Sequence, residues 1–245
     1  MATTAAQLIA IARMHLNEAS AIASGAWTDA ELAALGNLAC HDLWRAINDN
    51  FQDYFLTIST AVSQAASAGA TTLTGVPSDV AIVRGLEPSN LSSRPGLVYE
   101  ARNYTHIDFA RARSQAAIDP SQGGKIFYHL QGAGAPIAAP TINVAPGVNA
   151  AVTLRLTYVP TLDKLVASAP AAGETITNPI PGESDNAIIA WIVGYAMAKI
   201  AEDQAPNAGW LALYGTEKQN MLVSLTPRQT DDDDVAEAMF EDQWQ

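Results

Sequence analysis

The spacing of hydrophobic residues changes twice along this 245-residue chain, and that change limits the folds open to it. Apolar residues recur at helical spacing before about residue 56 and again after about residue 183, whereas short runs between these points alternate as strands do. The helices at the two ends each carry an apolar face too wide to stay in water. We therefore predict an α+β protein, in which the N- and C-terminal helices form a bundle and an antiparallel, sandwich-like β-rich section is inserted between them.

Two helices are predicted before the β-rich section. The apolar residues of the first, over about residues 4–18, are Leu8, Ile11, Ala12 and Leu16. Thr28 followed by Glu31 is typical of a capping box, in which each side chain satisfies the other's backbone N–H, so the second helix begins there and ends near Asn50. Cys40, the single cysteine, lies among apolar residues of this helix and is interpreted as a small core residue.

Short strands are predicted over residues 80–86, 125–130, 141–144 and 151–158, with prolines and glycines between them. The change of period itself begins near residue 57. The last strand alternates most regularly, and its predicted buried residues are Val152, Leu154, Leu156 and Tyr158. Such alternation is typical of a half-buried antiparallel strand. Residues 104–117 allow either a short helix or a long loop.

Helical spacing returns near Ser184 and continues through two more helices. The apolar stripe of the first is Ile188, Trp191, Ile192, Tyr195, Ala196 and Ile200. Ala205-Pro206-Asn207 separates the two helices, and Pro227 closes the second. We assign residues 1–56 and 183–228 to a helical bundle, 57–182 to a β-rich insertion and 229–245 to an acidic, extended C-terminal arm.

The acidity of the chain is concentrated in that arm. Seven acidic residues follow Arg228, the last basic residue, and supply −7 of the formal net charge of −12. The run Asp231–Asp234 lacks the spacing of a calcium loop, so it is interpreted as a solvated spacer. The apolar residues beyond the run are Val235, Met239, Phe240 and Trp244. Aromatic and methionine anchors after a spacer favour docking into a groove on a partner; packing onto the chain's own core is the alternative.

No pattern in the sequence indicates catalysis. The four histidines are scattered, and the glycine pairs near residues 123 and 132 lack the spacing of a phosphate loop or a dinucleotide fingerprint. We predict no enzyme activity, no cofactor and no metal site. An acidic chain repels phosphate, so sequence-independent nucleic-acid binding is not expected. No uncharged apolar run reaches the roughly 18–20 residues of a membrane span, and the first residues lack the basic region of a signal peptide, so we expect a soluble protein with no membrane partner.

Five short motifs occur in order along the chain. They are residues 8–18, Trp27-Thr28-Asp29-Ala30-Glu31-Leu32, Val76-Pro77-Ser78-Asp79-Val80, residues 152–158, and Asn178-Pro179-Ile180-Pro181 entering a helix with Tyr195-Ala196. In this order the motifs resemble the head–tail adaptor proteins of tailed bacteriophages, also called head-completion or connector proteins. The β-rich section, at about 120 residues, is larger than that resemblance leads us to expect.

The resemblance implies a structural virion protein that forms a ring, commonly of twelve copies, and leaves a channel for DNA. The implied partners are further copies of the chain, the portal protein, and tail or tail-terminator (nozzle) proteins. The implied location is the neck of the virion, after synthesis in the cytoplasm of the host bacterium. Because the C-terminal segment of such adaptors reaches the portal, the resemblance makes Val235, Met239, Phe240 and Trp244 portal-docking residues.

Two other functions stay open from the sequence. The chain is compatible with another virion part, such as a tail, baseplate or fibre-attachment protein. A carbohydrate-binding module in the β-rich section is disfavoured, because all five tryptophans lie outside that section.

Overall fold

The computed structural model describes residues 3–16, 27–90, 96–132, 140–162, 180–200 and 205–225, except for the side chains of Lys199 and Ile200. Its contacts divide the chain into two compact units. The described residues up to Gln52 and from Leu162 onward form the first, here called the helical unit. Asp53–Thr161 forms the second, here called the β unit. The predicted α+β class, with helices from both ends of the chain and strands between them, is confirmed.

The helices and strands follow one another in the predicted order. They are α1 (Ala5–His15), α2 (Asp29–Asn50), β1 (Thr57–Gln64), β2 (Thr71–Thr72), β3 (Val80–Pro88), β4 (Leu97–Ala101), α3 (Ile107–Ala112), β5 (Gly124–Gln131), β6 (Thr141–Ala145), β7 (Val152–Pro160), α4 (Asp185–Ile200) and α5 (Ala208–Leu225). None of these helices combines the length and the apolar character needed to span a membrane.

Both N-terminal helices begin with a capping box. Glu31 N donates to Thr28 Oγ1 at 3.2 Å, and Thr28 N donates to Glu31 Oε2 at 2.8 Å, which confirms the predicted start of α2. Thr4 and Gln7 make the same reciprocal pair at the start of α1. Because the first N–H groups of a helix have no partner within it, these bonds fix where each helix begins.

The buried face of α1 differs in one residue from the predicted one. Ile11 is exposed, whereas Ile9 is buried in its place; Leu8, Ala12 and Leu16 are buried as predicted. In α2, Cys40 is fully buried, as predicted, and burial raises the pKa of its thiol to about 12. This thiol is therefore protonated and packs as a small apolar group.

Helix α4 is the central helix of the helical unit, since it packs against α1, α2 and α5. Its buried residues are Ala187, Ile188, Ile189, Ala190, Ile192, Val193 and Ala196. Helix α5 comes closest at Gly194, where an added Cβ would lie 3.2 Å from atoms of both Trp210 and Leu211. A helix covered on several sides has no need of a polar face, which explains the almost unbroken apolar sequence of α4.

The described strands of the β unit form two sheets, with strand orders β1-β7-β3 and β2-β6-β5-β4. Residues from both sheets make one hydrophobic core, as in a sandwich. The alternation predicted for β7 is confirmed, because Val152, Leu154, Leu156 and Tyr158 are buried while Thr153 and Arg155 are exposed. Inside this core the Tyr99 hydroxyl donates to Gln64 Oε1 at 2.6 Å, which satisfies a buried polar group.

Three strands, β1, β2 and β4, and one pairing go beyond the sequence prediction. Residues 57–64 and 97–101 form β1 and β4, although neither alternates clearly enough to define a strand. Strands β4 and β5 run parallel, unlike every other strand pair described, and α3 lies between them in the chain. A parallel pair needs such a crossover connection. Residues 104–117, for which the sequence allowed a short helix or a long loop, contain the helix α3.

The boundaries predicted for the bundle, the insertion and the arm stay predictions. Residues 163–179, assigned to the end of the insertion, and residues 226–245, which include the whole arm, lie outside the described residues.

Candidate interaction surfaces

The four residues predicted to dock on a partner are not placed by the structure. Val235, Met239, Phe240 and Trp244 lie outside the described residues, so their role stays a prediction. The surfaces described below belong to the rest of the chain, and each lies within one of the two units.

In the β unit, functional side chains gather where the parallel strands β4 and β5 end. Arg102 N donates to Tyr128 O at 2.9 Å, which continues the pairing one residue past β4, and the chain then turns through Asn103 into α3. In sheets with parallel strands, ligands bind beyond the carboxyl ends of the strands, because the loops that leave them meet there. This edge of the sheet is therefore a physically favoured place for a binding surface.

A groove of about 560 Å³ lies at this edge. Its polar lining consists of Arg102, Asn103, His106 and His129, and apolar residues from β3 and β5, among them Ile82 and Leu130, complete it. No sequence pattern predicts that His106 and His129 share a surface, because 22 residues separate them and the parallel crossover brings them to the same groove.

Beside this groove, aromatic rings and arginine side chains form an exposed surface. The ring of Tyr104 lies 5.9 Å from that of His129 and 5.3 Å from that of Phe109, and the guanidinium of Arg113 lies over the Tyr104 ring at 4.9 Å. Tyr104 and Ile107 are 43% and 58% exposed. We call this set the basic-aromatic surface; it consists of Arg102, Tyr104, His106, Ile107, Arg111, Arg113 and His129.

The acidic residues nearest this surface are already matched by cations. Glu100 accepts from Lys125 Nζ at 2.6 Å and also pairs with Arg102. The hydrogen bond from Lys125 holds the pKa of Glu100 below its usual range, with help from the charge of Arg102. The Asp108 carboxylate lies 3.9 Å from Arg102 Nε, and the Asp108 backbone N–H donates to His106 Nδ1 at 3.2 Å. Among the described residues, no carboxylate comes within ion-pair distance of Arg111 or Arg113.

The net charge is distributed unevenly between the units. The β unit contains seven Lys and Arg residues against six Asp and Glu residues, which gives it a net charge of +1. Because the whole chain carries −12, the residues outside the β unit carry −13. The β unit is thus the less acidic part of an acidic protein. Within it, the charges of Arg111 and Arg113 are not balanced by a carboxylate at ion-pair distance among the described residues.

In the helical unit, polar contacts join helices from the two ends of the chain. Asp42 on α2 accepts hydrogen bonds from Tyr214 and from Lys218 Nζ on α5, the latter at 2.6 Å. Trp27 Nε1, just before α2, donates to Ala196 O on α4 at 3.0 Å. These contacts join α2 to α5 and the residue before α2 to α4.

A second surface of the helical unit is apolar. His15 and Trp210 stack edge to face, with ring centroids 5.1 Å apart, and so bring the end of α1 beside the start of α5. On the same two helices Met14 is 73% exposed and Leu213 is 41% exposed. Methionine and tryptophan are common at protein interfaces, so this surface is suited to contact with another protein.

Potential metal ligands and nucleophiles occur among the residues that the structure describes in each unit. No group of three or more His, Cys, Asp or Glu side chains among the described residues is arranged to hold a metal ion. His106 and His129 share the groove, but among the described residues no serine, threonine or cysteine nucleophile lines it with them.

A protein-family model described as the SU10 adaptor protein matches residues 3–239, nearly the whole chain. The chain belongs to the SU10 adaptor protein family. None of the curated proteins gives a significant match. Membership of the SU10 adaptor family makes the chain a structural adaptor protein of phage particles and confirms the resemblance drawn from the ordered motifs.

The SU10 adaptor match also covers part of the predicted arm. Val235 and Met239 lie within the matched residues, whereas Phe240 and Trp244 lie beyond them. Both the bundle helices and the β unit are included, so the inserted β section belongs to the family pattern.

Proposed function

We propose that this chain is the head-to-tail adaptor of a tailed phage. In this proposal it forms a ring, of twelve copies by the resemblance, beneath the portal, and links the portal to tail or tail-terminator (nozzle) proteins in the neck of the virion. It acts by binding and carries out no catalysis. The observation that supports the proposal is the match to the SU10 adaptor family over residues 3–239.

The C-terminal arm is proposed to dock on the portal through Val235, Met239, Phe240 and Trp244. The acidic run Asp231–Asp234 precedes these residues and would keep them in solution, away from the chain's own apolar core, before assembly. Large apolar side chains that enter a groove on a partner supply most of the binding free energy in such contacts.

The charge distribution supports passage of DNA without retention. A channel wall that binds phosphate tightly would slow the genome, and a charge of −13 outside the β unit disfavours such binding. Under this proposal the basic-aromatic surface meets protein rather than DNA. Assembled rings that retain duplex DNA at moderate salt would contradict this part of the proposal.

The proposal is tested by mixing the purified chain with the portal protein from the same genome. Light scattering should show a complex with several copies of the adaptor per portal ring, and electron microscopy should place the added mass on the tail side of the portal. A chain that stays monomeric and does not bind the portal would overturn the proposal. Mass located instead at the tail tip would favour another virion part.

A further inference from the structure

The basic-aromatic surface of the β unit has the composition of a protein-binding surface. Tyrosine and arginine are enriched at the centres of interfaces, and Tyr104 combines with Arg113 here in a stacked pair that is already in place. Ile107 and Arg111 lie four residues apart on α3, and both are exposed. Four-residue spacing puts their side chains on one face of that helix. The surface therefore offers a cation and a ring in one stacked pair, and a cation and an apolar side chain along one face of α3.

The charge of this surface is only partly balanced within the chain. Glu100 and Asp108 are the acidic residues that pair with Arg102 and Lys125, whereas Arg111 and Arg113 have no carboxylate within ion-pair distance among the described residues. A partner that supplies carboxylates would gain two further charge pairs here. Phosphate is the other anion that arginine prefers, but an overall charge of −12 opposes the approach of a nucleic-acid backbone.

We infer that the occupant is the acidic C-terminal segment, residues 231–242, of a second copy of this chain. This segment contains seven carboxylates and no lysine or arginine. The inference rests on the proposed function, because a homo-oligomer is what brings a second copy within reach.

The length of the chain permits this contact. Twenty residues follow Leu225, the last residue of α5, and fully extended they span up to about 66–72 Å. That reach exceeds the size of a small domain, so an arm that leaves one copy can lie on its neighbour. Within an oligomer the arm is already held near its neighbour, so its binding to the neighbour's β unit is effectively intramolecular. A weak charge contact can therefore persist. The arm would then bind the neighbour's β unit through its carboxylates and leave Val235, Met239, Phe240 and Trp244 for the portal.

The test is a photo-crosslinking experiment on the full chain, assembled with its portal, that carries a benzoylphenylalanine in place of Ala236. Equal amounts of isotopically light and heavy protein are mixed before assembly, so that crosslinks between copies carry mixed labels. We expect mixed-label crosslinks to residues 102–113, and we expect their yield to fall as salt is raised. Same-label crosslinks alone would show that the arm binds its own β unit and would overturn the inference.

Charge variants make the test specific. Arg111→Gln/Arg113→Gln should lower the crosslink yield about threefold to tenfold, since each exposed ion pair contributes up to about 1 kcal/mol. The matched control, Arg45→Gln/Arg155→Gln, removes the same charge from exposed arginines elsewhere and should leave the yield unchanged. Arg111→Glu/Arg113→Glu should abolish the crosslink, and combining it with Asp231→Lys/Asp232→Lys should restore it. The inference would be overturned if Arg111→Gln/Arg113→Gln and its control gave equal crosslink yields. It would also be overturned if the charge exchange did not restore the crosslink.

The two proposals fail in different ways. Assembly with the portal in the absence of these crosslinks leaves the adaptor function in place and removes the contact between arm and β unit. Absence of any complex with the portal counts against the adaptor function itself.

Discussion

The hydroxyl of Tyr214 on α5 donates a hydrogen bond to the carboxylate of Asp42 on α2, across 172 positions of the chain. Lys218, one turn further along α5, donates to the same Asp42 oxygen at 2.6 Å. Tyr214 is buried beside Trp191 of α4, with ring centroids 4.8 Å apart. These contacts join the N-terminal and C-terminal parts of the helical unit at one point.

Replacement of this hydroxyl should weaken the helical unit. We expect Tyr214→Phe to lower the free energy of unfolding by about 1 kcal/mol. This is less than the roughly 1.5–3 kcal/mol of a typical hydrogen bond to a charged group, because Asp42 is 43% exposed and water competes for it. Urea denaturation followed by tryptophan fluorescence measures the change. Tyr195→Phe on α4 is the matched control and should cost less; an equal loss in both variants would contradict the assigned role of the bond.

The same cluster predicts how stability depends on pH. Burial opposes ionisation of Asp42, but hydrogen bonds from Lys218 and Tyr214 outweigh it and hold its pKa below 3.8. A lowered pKa in the folded state gives stability that is present above about pH 4 and is lost as pH falls through the lowered value. Burial, reinforced by Asp42, raises the pKa of Tyr214 above 10.0, so its contribution is present below about pH 10 and is lost as pH rises further.

Unfolding free energies measured from about pH 2 to about pH 11 should therefore fall at both ends of this range. Asp42→Asn should flatten the acid side relative to the unmodified protein, since the substituted residue no longer titrates. If the unfolding free energy of Asp42→Asn falls as steeply at low pH as that of the unmodified protein, the loss comes from other carboxylates.

One glycine of the β unit is expected to tolerate no side chain. Gly75 has φ +72°, and an added Cβ would lie 2.2 Å from the carbonyl oxygen of Ala61. Gly75→Ala should cost about 2 kcal/mol or more, from the strained backbone and from the clash. Gly69, with open space around its Cα, provides the control, and Gly69→Ala should leave stability unchanged or raise it by up to about 1 kcal/mol. Similar melting temperatures for the two variants would contradict this prediction.

Deletion of residues 231–245 should separate folding from assembly. The truncated chain is expected to melt cooperatively at nearly the same temperature by circular dichroism, but to bind the portal more weakly, because Val235, Met239, Phe240 and Trp244 are gone. Phe240→Ala/Trp244→Ala in the full chain should reproduce most of the binding loss while it keeps the acidic run. Loss of solubility or of cooperative melting in the truncated chain would show instead that these aromatic residues belong to the core.

Local patterns were sufficient to predict several elements of the fold. The capping box of Thr28 and Glu31 fixed the start of α2, since both partners lie within one helical turn. The alternation from Val152 to Tyr158 marked β7 and its buried side, because the side-chain period of a strand is two. Strand β4 was missed: it is five residues long, and such a segment carries little periodic signal.

The basic-aromatic surface could not be predicted in the same way. Arg102, His106 and His129 meet only because β4 and β5 pair in parallel through α3, and strand pairing depends on contacts between residues far apart in sequence. A charge count along the chain places most of the acidity in the C-terminal arm but does not show which arginines lack a carboxylate partner. That requires the positions of Glu100, Lys125 and Asp108 in space.

The sequence by itself determined the α+β class, the order of helices and strands, and the character of the acidic arm, because period and charge are local properties. Tertiary structure alone decided that Asp42 meets Tyr214, and that two histidines and three arginines gather at one edge of the β unit. The physical reason is that hydrophobic burial is non-directional: it requires that the apolar faces be covered but does not specify by which residues. The partners are selected by packing and hydrogen bonding between segments more than a hundred residues apart in the helical unit, and across the crossover in the β unit.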